Sequence, residues 1–422
     1  MALAANVLRL WLNSSVYETN APFYVEGFKM LGEELKVDIE LRTIPWSKAS
    51  DSLITAFKNG NPPDVFQLGT TFIRTFAHLD YLAPVPDDLK LRPPLAGWID
   101  GCCSYKGNGV AVPWVAEAML MAARRDVMDR YDIKTADIAD WDGFYRVCCM
   151  IADDCKKKKN GNTLSFPLLF PIRPENKTLR SYISWFLSGG WKFPPLTGIP
   201  ANILKHEAVA RTLKYIFGLI RAEGIGIKDV RIHPSHLFEQ FVSQGRYAFS
   251  VEYWGGDIAN AIRQPGLFGG QEIELAIMPI PSVSGESAGW GGGSALSVSS
   301  VTKYPEAAWK LVEYMCSDGF IDQWSLNSGD LPAFQSAFWD RNSRSGHLKV
   351  VYDQIKKSRS YPSHPLWLTI EKYMCEDVAN LLWRMINSKA TYPDDDIYSE
   401  LEKMDHRIID SLKMAWELDN EV

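Results

Sequence analysis

The sequence predicts an α/β protein with two lobes and a helical annex at its C-terminal end. Strand and helix patterns alternate from the start of the chain, as in α/β domains. Its 422 residues exceed the length at which one hydrophobic core usually keeps growing. Its final segment carries apolar residues at helical spacing. Together these features favour two domains with helices packed on one of them.

The N-terminal part of the chain predicts repeated strand-helix-strand units. Strand patterns cover residues 7–12, 37–44 and 64–68, and helix patterns cover residues 23–35 and 47–59. Such units build a parallel sheet, and ligands collect outside the carboxyl ends of its strands. We therefore expect polar contacts just after these strands.

The rest of the chain predicts two lobes that exchange segments. A strand pattern near residues 110–123 passes from one domain to the other, and the annex is expected over residues 365–385 and 395–418. We predict a first lobe from residues 1–115 and 281–327, and a second lobe with the annex from residues 116–280 and 328–422. Chain crossings of this kind are typical of a hinged pair of domains.

Composition argues against several classes of function. The formal net charge of −6 disfavours a protein that binds nucleic acid by neutralising phosphates. The histidines and the seven cysteines lack the spacing of a metal site. The sequence also lacks a run of about 18 apolar residues that could span a bilayer. We therefore expect no nucleic-acid partner, no metal and no cofactor.

The segment from Gly245 to Gly256 is the most informative motif. Tyr247, Phe249 and Val251 alternate as one face of a strand that leads to Trp254 and two glycines. The apolar face of an indole matches the C–H face of a pyranose ring. The pattern predicts that Trp254 stacks on a sugar.

Several segments, taken in order, resemble the sugar-binding group of extracellular solute-binding proteins of ABC transporters, which includes maltose-binding protein. The resemblance covers essentially the whole chain and rests on residues 8–13, 61–66, 110–114, 245–254, 289–298, 304–309 and 328–332. It implies a two-lobe periplasmic-binding-protein fold, type II-like, with hinge crossings. It also implies a protein that closes on one solute and delivers it to a membrane permease without catalysis.

The resemblance also implies the positions of solute contacts in the first lobe. Asn13 and Ser14 follow the first strand and Thr70 and Thr71 follow the third, where the family places polar contacts. Trp114 matches the aromatic residue that follows the first crossing.

Further candidates fall in the second lobe and the annex. Trp254 matches a stacking tryptophan of the family, and Trp290 lies in a glycine-rich loop that would line the cleft. The remaining candidates in these regions are Arg180, Tyr182, Gly291, Gly292 and Trp367. The two glycines permit close approach of the backbone to the solute.

One departure from the family pattern concerns the ligand. Maltose-type proteins carry an acidic residue in the helix after the second strand, but this chain has Trp46 and Lys48 there. We expect these two residues to take its place and a ligand other than maltodextrin. Glu117 completes the candidate set. With Glu252 and Asp257 it also supplies the carboxylates that a carbohydrate-active enzyme would need.

The resemblance places the protein outside the cytoplasm, in the periplasm or lipid-anchored at the cell surface, as a monomer. Residues 1–6 contain no export signal, so either the protein is cytoplasmic or the signal is missing from this chain, and the resemblance favours the second alternative. The ligand is expected to be an oligosaccharide. A polyol, glycerol phosphate or peptide remains an alternative, and an enzyme acting on carbohydrate is a further one.

Overall fold

The structure, a computed structural model, describes residues 6–14, 22–157, 164–194, 199–221, 234–263, 273–362, 364–388 and 393–420. The side chain of Ser14 lies outside the described part of the chain, and so do residues 1–5, on which the prediction about an export signal depends. Within these ranges, no helix is long and apolar enough to cross a lipid bilayer.

The strands follow the predicted pattern closely. They are β1 (Val7–Ser14), β2 (Asp38–Pro45), β3 (Val65–Gly69), β4 (Ser104–Tyr105), β5 (Asn108–Gly109), β6 (Val112–Arg124), β7 (Phe166–Leu169), β8 (Tyr247–Tyr253), β9 (Leu275–Met278), β10 (Gly291–Val298) and β11 (Leu331–Pro332).

The helices include the predicted ones and several short additions. They are α1 (Pro22–Leu35), α2 (Ala49–Lys58), α3 (Ile73–His78), α4 (Gly97–Cys102), α5 (Arg125–Arg130), α6 (Trp141–Lys157), α7 (Asn176–Ser188), α8 (Glu207–Arg221), α9 (Pro234–Val242), α10 (Gly256–Arg263), α11 (Pro305–Met315), α12 (Asp318–Ser328), α13 (Ala337–Asn342), α14 (Gly346–Lys357), α15 (Trp367–Asn387) and α16 (Asp394–Asn420). Short 3-10 helices cover Trp46–Lys48 and Thr135–Ile138.

The central sheet is mixed. Its strand order is β2-β1-β3-β10-β6-β8-β7, and β9 and β11 also pair with β6. Strand β1 is parallel to β2 and β3, as the strand-helix-strand units predict, whereas β10 is antiparallel to β3 and β6. The parallel sheet predicted for the N-terminal units is therefore confirmed for these first three strands, and the rest of the sheet is mixed.

Strand β6 links two parts of this sheet. Its residues up to Ala118 pair with β10, and its residues from Met119 onward pair with β8 and β9. One 13-residue strand thus carries the chain from the first lobe into the second. The predicted boundary between residues 115 and 116 falls inside this strand, and the exact division of the chain stays a prediction.

The annex packs on the second lobe. Helices α15 and α16 contribute Leu381, Leu382, Leu401 and Ile408, all fully buried, to a hydrophobic cluster that also contains Trp185. A separate cluster fills the first lobe and includes Leu10, Val65, Leu296 and Leu311. The amphipathic pattern of the annex is thereby explained by core packing.

Candidate functional site

The carboxyl ends of the first-lobe strands form one edge of the sheet. Trp46 follows β2, and Thr70 and Thr71 follow β3. Trp46 is 40% exposed, and a Cβ atom at Gly69 would lie 3.8 Å from its Cζ3 atom. Three predicted contact residues are thus brought to the edge where ligands of α/β sheets bind.

Asn13 is buried and joins three strands. Its backbone N–H donates to Gln67 Oε1 over 2.9 Å, and its side-chain Nδ2 donates to the Gln67 carbonyl over 3.2 Å. Gln67 in turn donates to Ser294 Oγ over 2.8 Å. These bonds give Asn13 a structural role between β1, β3 and β10, and a solute contact by this residue stays a prediction.

Lys48 lines a surface cavity of about 580 Å³ together with Trp11, Arg42, Asp51 and Asn61. The cavity runs beside α2, and Trp46, Thr70 and Thr71 are not in its lining. A joint role of Lys48 and Trp46 in solute binding stays a prediction.

Trp114 belongs to the core of the first lobe. It has no exposed surface, its Nε1 donates to the Met315 carbonyl over 3.2 Å, and its ring centroid lies 4.7 Å from that of Trp324. Both the ring and its polar atom are therefore already engaged within the protein. We correct the predicted stacking contact to a packing role.

Tyr182 and Trp254 need the same correction. Tyr182 is 1% exposed, and its hydroxyl donates to the Pro171 carbonyl over 2.7 Å. Trp254 is 5% exposed, and its Nε1 donates to the Gly329 carbonyl over 3.2 Å. It packs in a cluster with Trp339, so its faces are covered by protein.

Other candidates meet in a second group, the Arg180 cluster, which comprises Arg180, Trp290, Tyr361, Trp367 and Glu371. The Arg180 guanidinium carbon lies 4.5 Å from the Trp290 ring centroid. The Tyr361 ring centroid lies 5.6 Å from that of Trp290 and 4.5 Å from that of Trp367. A cation over an indole face is a favourable pairing. Trp290 and Trp367 are each 1% exposed, so we correct the predicted ring contacts of both to packing roles.

Polar atoms in this cluster lack partners. Among the described residues, Nε1 of Trp290, Nε1 of Trp367 and Oε1 of Glu371 are buried and accept or donate no hydrogen bond. Buried polar groups are nearly always hydrogen-bonded, by protein, water or ligand. Two indole donors and one carboxylate acceptor thus mark a position at which a polar ligand would form hydrogen bonds.

Two carboxyl groups in this region are electrostatically unusual. Burial raises the pKa of Glu371 to about 7, although the nearby Arg180 lowers it. Burial also raises the pKa of Glu117 to about 7; Arg180 lowers it and Asp330 raises it further. Groups that titrate near neutral pH in this way are frequent at functional sites.

The glycines of β10 make room for protein. A Cβ atom at Gly292 would lie 2.1 Å from Trp290 Cη2, and one at Gly291 would lie 2.6 Å from Ser358 Cβ. Gly292 pairs with Glu117 across β10 and β6. The close approach that the sequence predicts at these glycines thus occurs with Trp290 and Ser358, and a solute contact there stays a prediction.

Sequence reasoning missed Tyr361, Glu371 and Phe193. The Phe193 ring centroid lies 5.5 Å from that of Tyr361 and 6.1 Å from that of Trp367. One signal was available: Glu371 lies four residues after Trp367 in α15, hence on the same helix face, and that face is otherwise apolar. A charged residue on an apolar stripe indicates a buried polar site.

The first lobe touches the segment that precedes α15. Thr75 Oγ1 in α3 donates to the Pro365 carbonyl over 2.6 Å. Burial lowers the pKa of the adjacent His364, and Arg74 and His78 of α3 lower it further. The edge of the first lobe therefore faces the stretch of chain that leads to Trp367.

A family model described as bacterial extracellular solute-binding protein matches residues 26–342. The chain belongs to this family. No sequence among curated proteins matches it. The two-lobe architecture is therefore that of a solute-binding protein, and the predicted fold and family are confirmed.

Solved structures share the fold over nearly the whole chain. The GacH receptor of Streptomyces glaucescens, solved unliganded and with acarbose, is 17% identical with a TM-score of 0.74, covering 96% of this chain and 99% of that one. The sugar-binding protein MalE of Xanthomonas citri is 21% identical with a TM-score of 0.74 and coverages of 98% and 99%. A solute-binding protein of Agrobacterium radiobacter in complex with ribitol is 14% identical with a TM-score of 0.71 and coverages of 96% and 98%.

Proposed function

We propose that this solute-binding protein binds a sugar, an oligosaccharide, noncovalently between its lobes and delivers it to the permease of an ABC importer. The proposal places Trp46, Thr70 and Thr71 on one side of the solute and the Arg180 cluster on the other, with Glu117 between them. It takes the two lobes to divide as the sequence predicts. It also assumes an extracytoplasmic monomer that carries out no chemistry on its ligand.

The observation that carries the proposal is the set of partnerless polar atoms in the Arg180 cluster. Each hydroxyl of a sugar both donates and accepts, so one sugar can satisfy the indole donors of Trp290 and Trp367 and the acceptor of Glu371. The half-buried ring of Phe193, which packs beside Tyr361 and Trp367, supplies an apolar surface that suits a pyranose. The GacH receptor, which shares the fold, has been solved with acarbose, a sugar-like ligand.

A polyol is the second candidate ligand. The same donors and acceptors suit any polyhydroxylated molecule, and a structure of the same fold has been solved with ribitol. The size of the preferred ligand separates the two candidates, because an oligosaccharide reaches contacts on both lobes that a small polyol leaves unused.

The test is isothermal titration calorimetry against oligosaccharides, monosaccharides and polyols at pH 8, where Glu371 is ionised. We expect saturable binding of one class, and Glu371→Gln is expected to weaken it about tenfold or more. A hydrogen bond to an ionised carboxylate is worth about 1.5–3 kcal/mol, and the amide gives a weaker one.

Glu376→Gln is the matched control. Glu376 lies on the same helix and pairs with Arg407 over 2.8 Å at the surface. The Glu376→Gln variant should bind the ligand as the wild type does. Equal affinity of the Glu371→Gln variant, or no binding across the panel, would remove the Arg180 cluster from the site. Shortened oligosaccharides after incubation with the protein would favour an enzyme.

A further inference from the structure

A second cavity lies beside the Arg180 cluster, and its charge is unusual. It has a volume of about 720 Å³ and is formed by residues 187–192, Arg211, residues 283–288 and residues 356–359. Its basic side chains are Lys192, Arg211, Lys356, Lys357 and Arg359, and Glu286 is the acidic residue in its lining. The whole chain carries a net charge of −6, so the net charge of the cavity lining is opposite in sign to that of the protein. We call it the basic pocket.

The positive charges of the basic pocket are largely uncompensated. In the described ranges, no carboxylate lies within 4.0 Å of the side-chain nitrogens of Lys192, Lys356, Lys357 or Arg359. Arg211 contacts Glu207 over 3.6 Å and donates to the Gly189 carbonyl over 2.6 Å. Like charges held around one concavity repel one another, and an anion bound there relieves this repulsion.

Helix capping explains only part of the arrangement. Lys356 and Lys357 occupy the last turn of α14, where cations interact favourably with the helix dipole. Lys192, Arg211 and Arg359 come from three other places: the turn after α7, helix α8 and the segment after α14. The convergence of these three on the same cavity as the lysines needs a separate reason.

The pocket also offers neutral groups that suit an anion. Ser284 and Ser287 lie in its wall, and within the described part of the chain Ser287 Oγ is buried without a hydrogen-bond partner. Gly190 turns the chain there with φ of 91°, a conformation that favours glycine. Its backbone can therefore approach a ligand closely.

We propose that the basic pocket binds a small multivalent anion of the phosphate class, either free or as a phosphate ester. Arginine forks and lysine point charges are the usual partners of phosphate, and serine hydroxyls complete such sets. The volume falls within the range of small-molecule sites, about 300–1,000 Å³. The pocket adjoins Trp290, since the Gly291 N–H donates to the Arg359 carbonyl over 3.0 Å. Its lining contains none of the five residues of the Arg180 cluster, so we treat it as a second site.

The test is calorimetric titration of the whole protein with pyrophosphate at about 50 mM salt, where screening is moderate. We expect saturable binding at one site. The double variant Lys356→Gln with Arg359→Gln should weaken it at least tenfold. The control is Lys303→Gln with Lys349→Gln, which removes two exposed charges outside the pocket and should bind as the wild type does. All four side chains are exposed, so each variant should keep the wild-type melting temperature.

Additional binding experiments identify the source of the anion. Tighter binding of glucose 6-phosphate than of pyrophosphate, lost in the pocket variant, supports a phosphate ester; the reverse order supports a free anion. Absence of saturable binding, or equal weakening in the pocket variant and the control, overturns the proposal. Sedimentation with phosphatidylglycerol vesicles that depends on Lys356 and Arg359, without binding of either soluble probe, overturns it in favour of a membrane surface.

Discussion

The buried carboxyl of Glu371 couples the candidate sugar site to proton concentration. Its side chain is 2% exposed, and burial raises its pKa to about 7, above the ordinary value of 4.5. The folded protein therefore favours the protonated form, whereas the unfolded chain loses that proton at lower pH. Stability from this group is fully present below pH 4.5 and is lost as the pH rises through about 7.

We predict that the melting temperature of the wild type falls between pH 5 and pH 8 more steeply than that of Glu371→Gln. The amide has no proton to lose, so the variant escapes a penalty of up to about 3 kcal/mol. Differential scanning fluorimetry at several pH values measures both curves. Glu376→Gln should follow the wild type. Parallel curves for the wild type and Glu371→Gln would show that burial does not perturb this carboxyl.

Single residues also show where sequence reasoning stops. Trp46 and Trp254 are both tryptophans at the end of a strand, yet Trp46 is 40% exposed and Trp254 is 5% exposed. The difference comes from Gly329, which accepts the Trp254 indole N–H, and from Trp339, which packs in the same cluster. Gly329 and Trp339 both lie more than 70 positions after Trp254 in the chain, so local sequence cannot distinguish a stacking surface from a core residue.

Helices and strands were easier to predict from the sequence than the roles of single residues. The helix predicted over residues 208–223 is Glu207–Arg221, and the strand predicted over residues 247–251 is Tyr247–Tyr253, because each depends on local periodicity. The direction of each strand in the sheet was harder to predict from the sequence. Strand β10 runs antiparallel to β3, which lies more than 200 positions earlier in the chain, so local periodicity does not give the direction of this pairing. The six-residue helix α3 was missed because it is too short to show a periodic pattern.

The pairing of β10 with β6 depends on Gly293. Its φ is 141°, and a Cβ atom there would lie 2.0 Å from the Val115 carbonyl oxygen. The register between the two strands shifts just after this residue, between Ser294 and Ala295. Glycine is thus required at the irregular step in the pairing of the crossing strand.

We predict that Gly293→Ala lowers the melting temperature by several degrees. A strained backbone costs about 1–3 kcal/mol, and the contact with the Val115 carbonyl adds to it. Gly319→Ala is the control. Gly319 lies in α12 with no atom within 4 Å of a Cβ, and alanine favours a helix, so its melting temperature should stay or rise. A stable Gly293→Ala protein would show that β10 can shift its register freely.

At the scale of the whole molecule, the first lobe and the annex segment meet through α3. Thr75 donates to the Pro365 carbonyl, two residues before Trp367. The contact joins the lobe that carries Thr70 and Thr71 to the chain that carries the Arg180 cluster. A ligand that touches both groups favours the arrangement in which they lie together, and its differential affinity supplies the energy for closure.

We predict that Thr75→Val shifts the protein toward more open arrangements. Valine keeps the shape of threonine but cannot donate to Pro365, and one such bond contributes about 1 kcal/mol. The radius of gyration from small-angle X-ray scattering should rise in the absence of ligand and return to the wild-type value at saturation. The apparent affinity should fall about fivefold, because binding must then also restore the closed arrangement. Thr55→Val, an exposed change in α2 of the same lobe, should leave both quantities unchanged. If the radius and affinity of Thr75→Val match those of the wild type, the contact with Pro365 does not control closure, and the ligand contacts alone must do so.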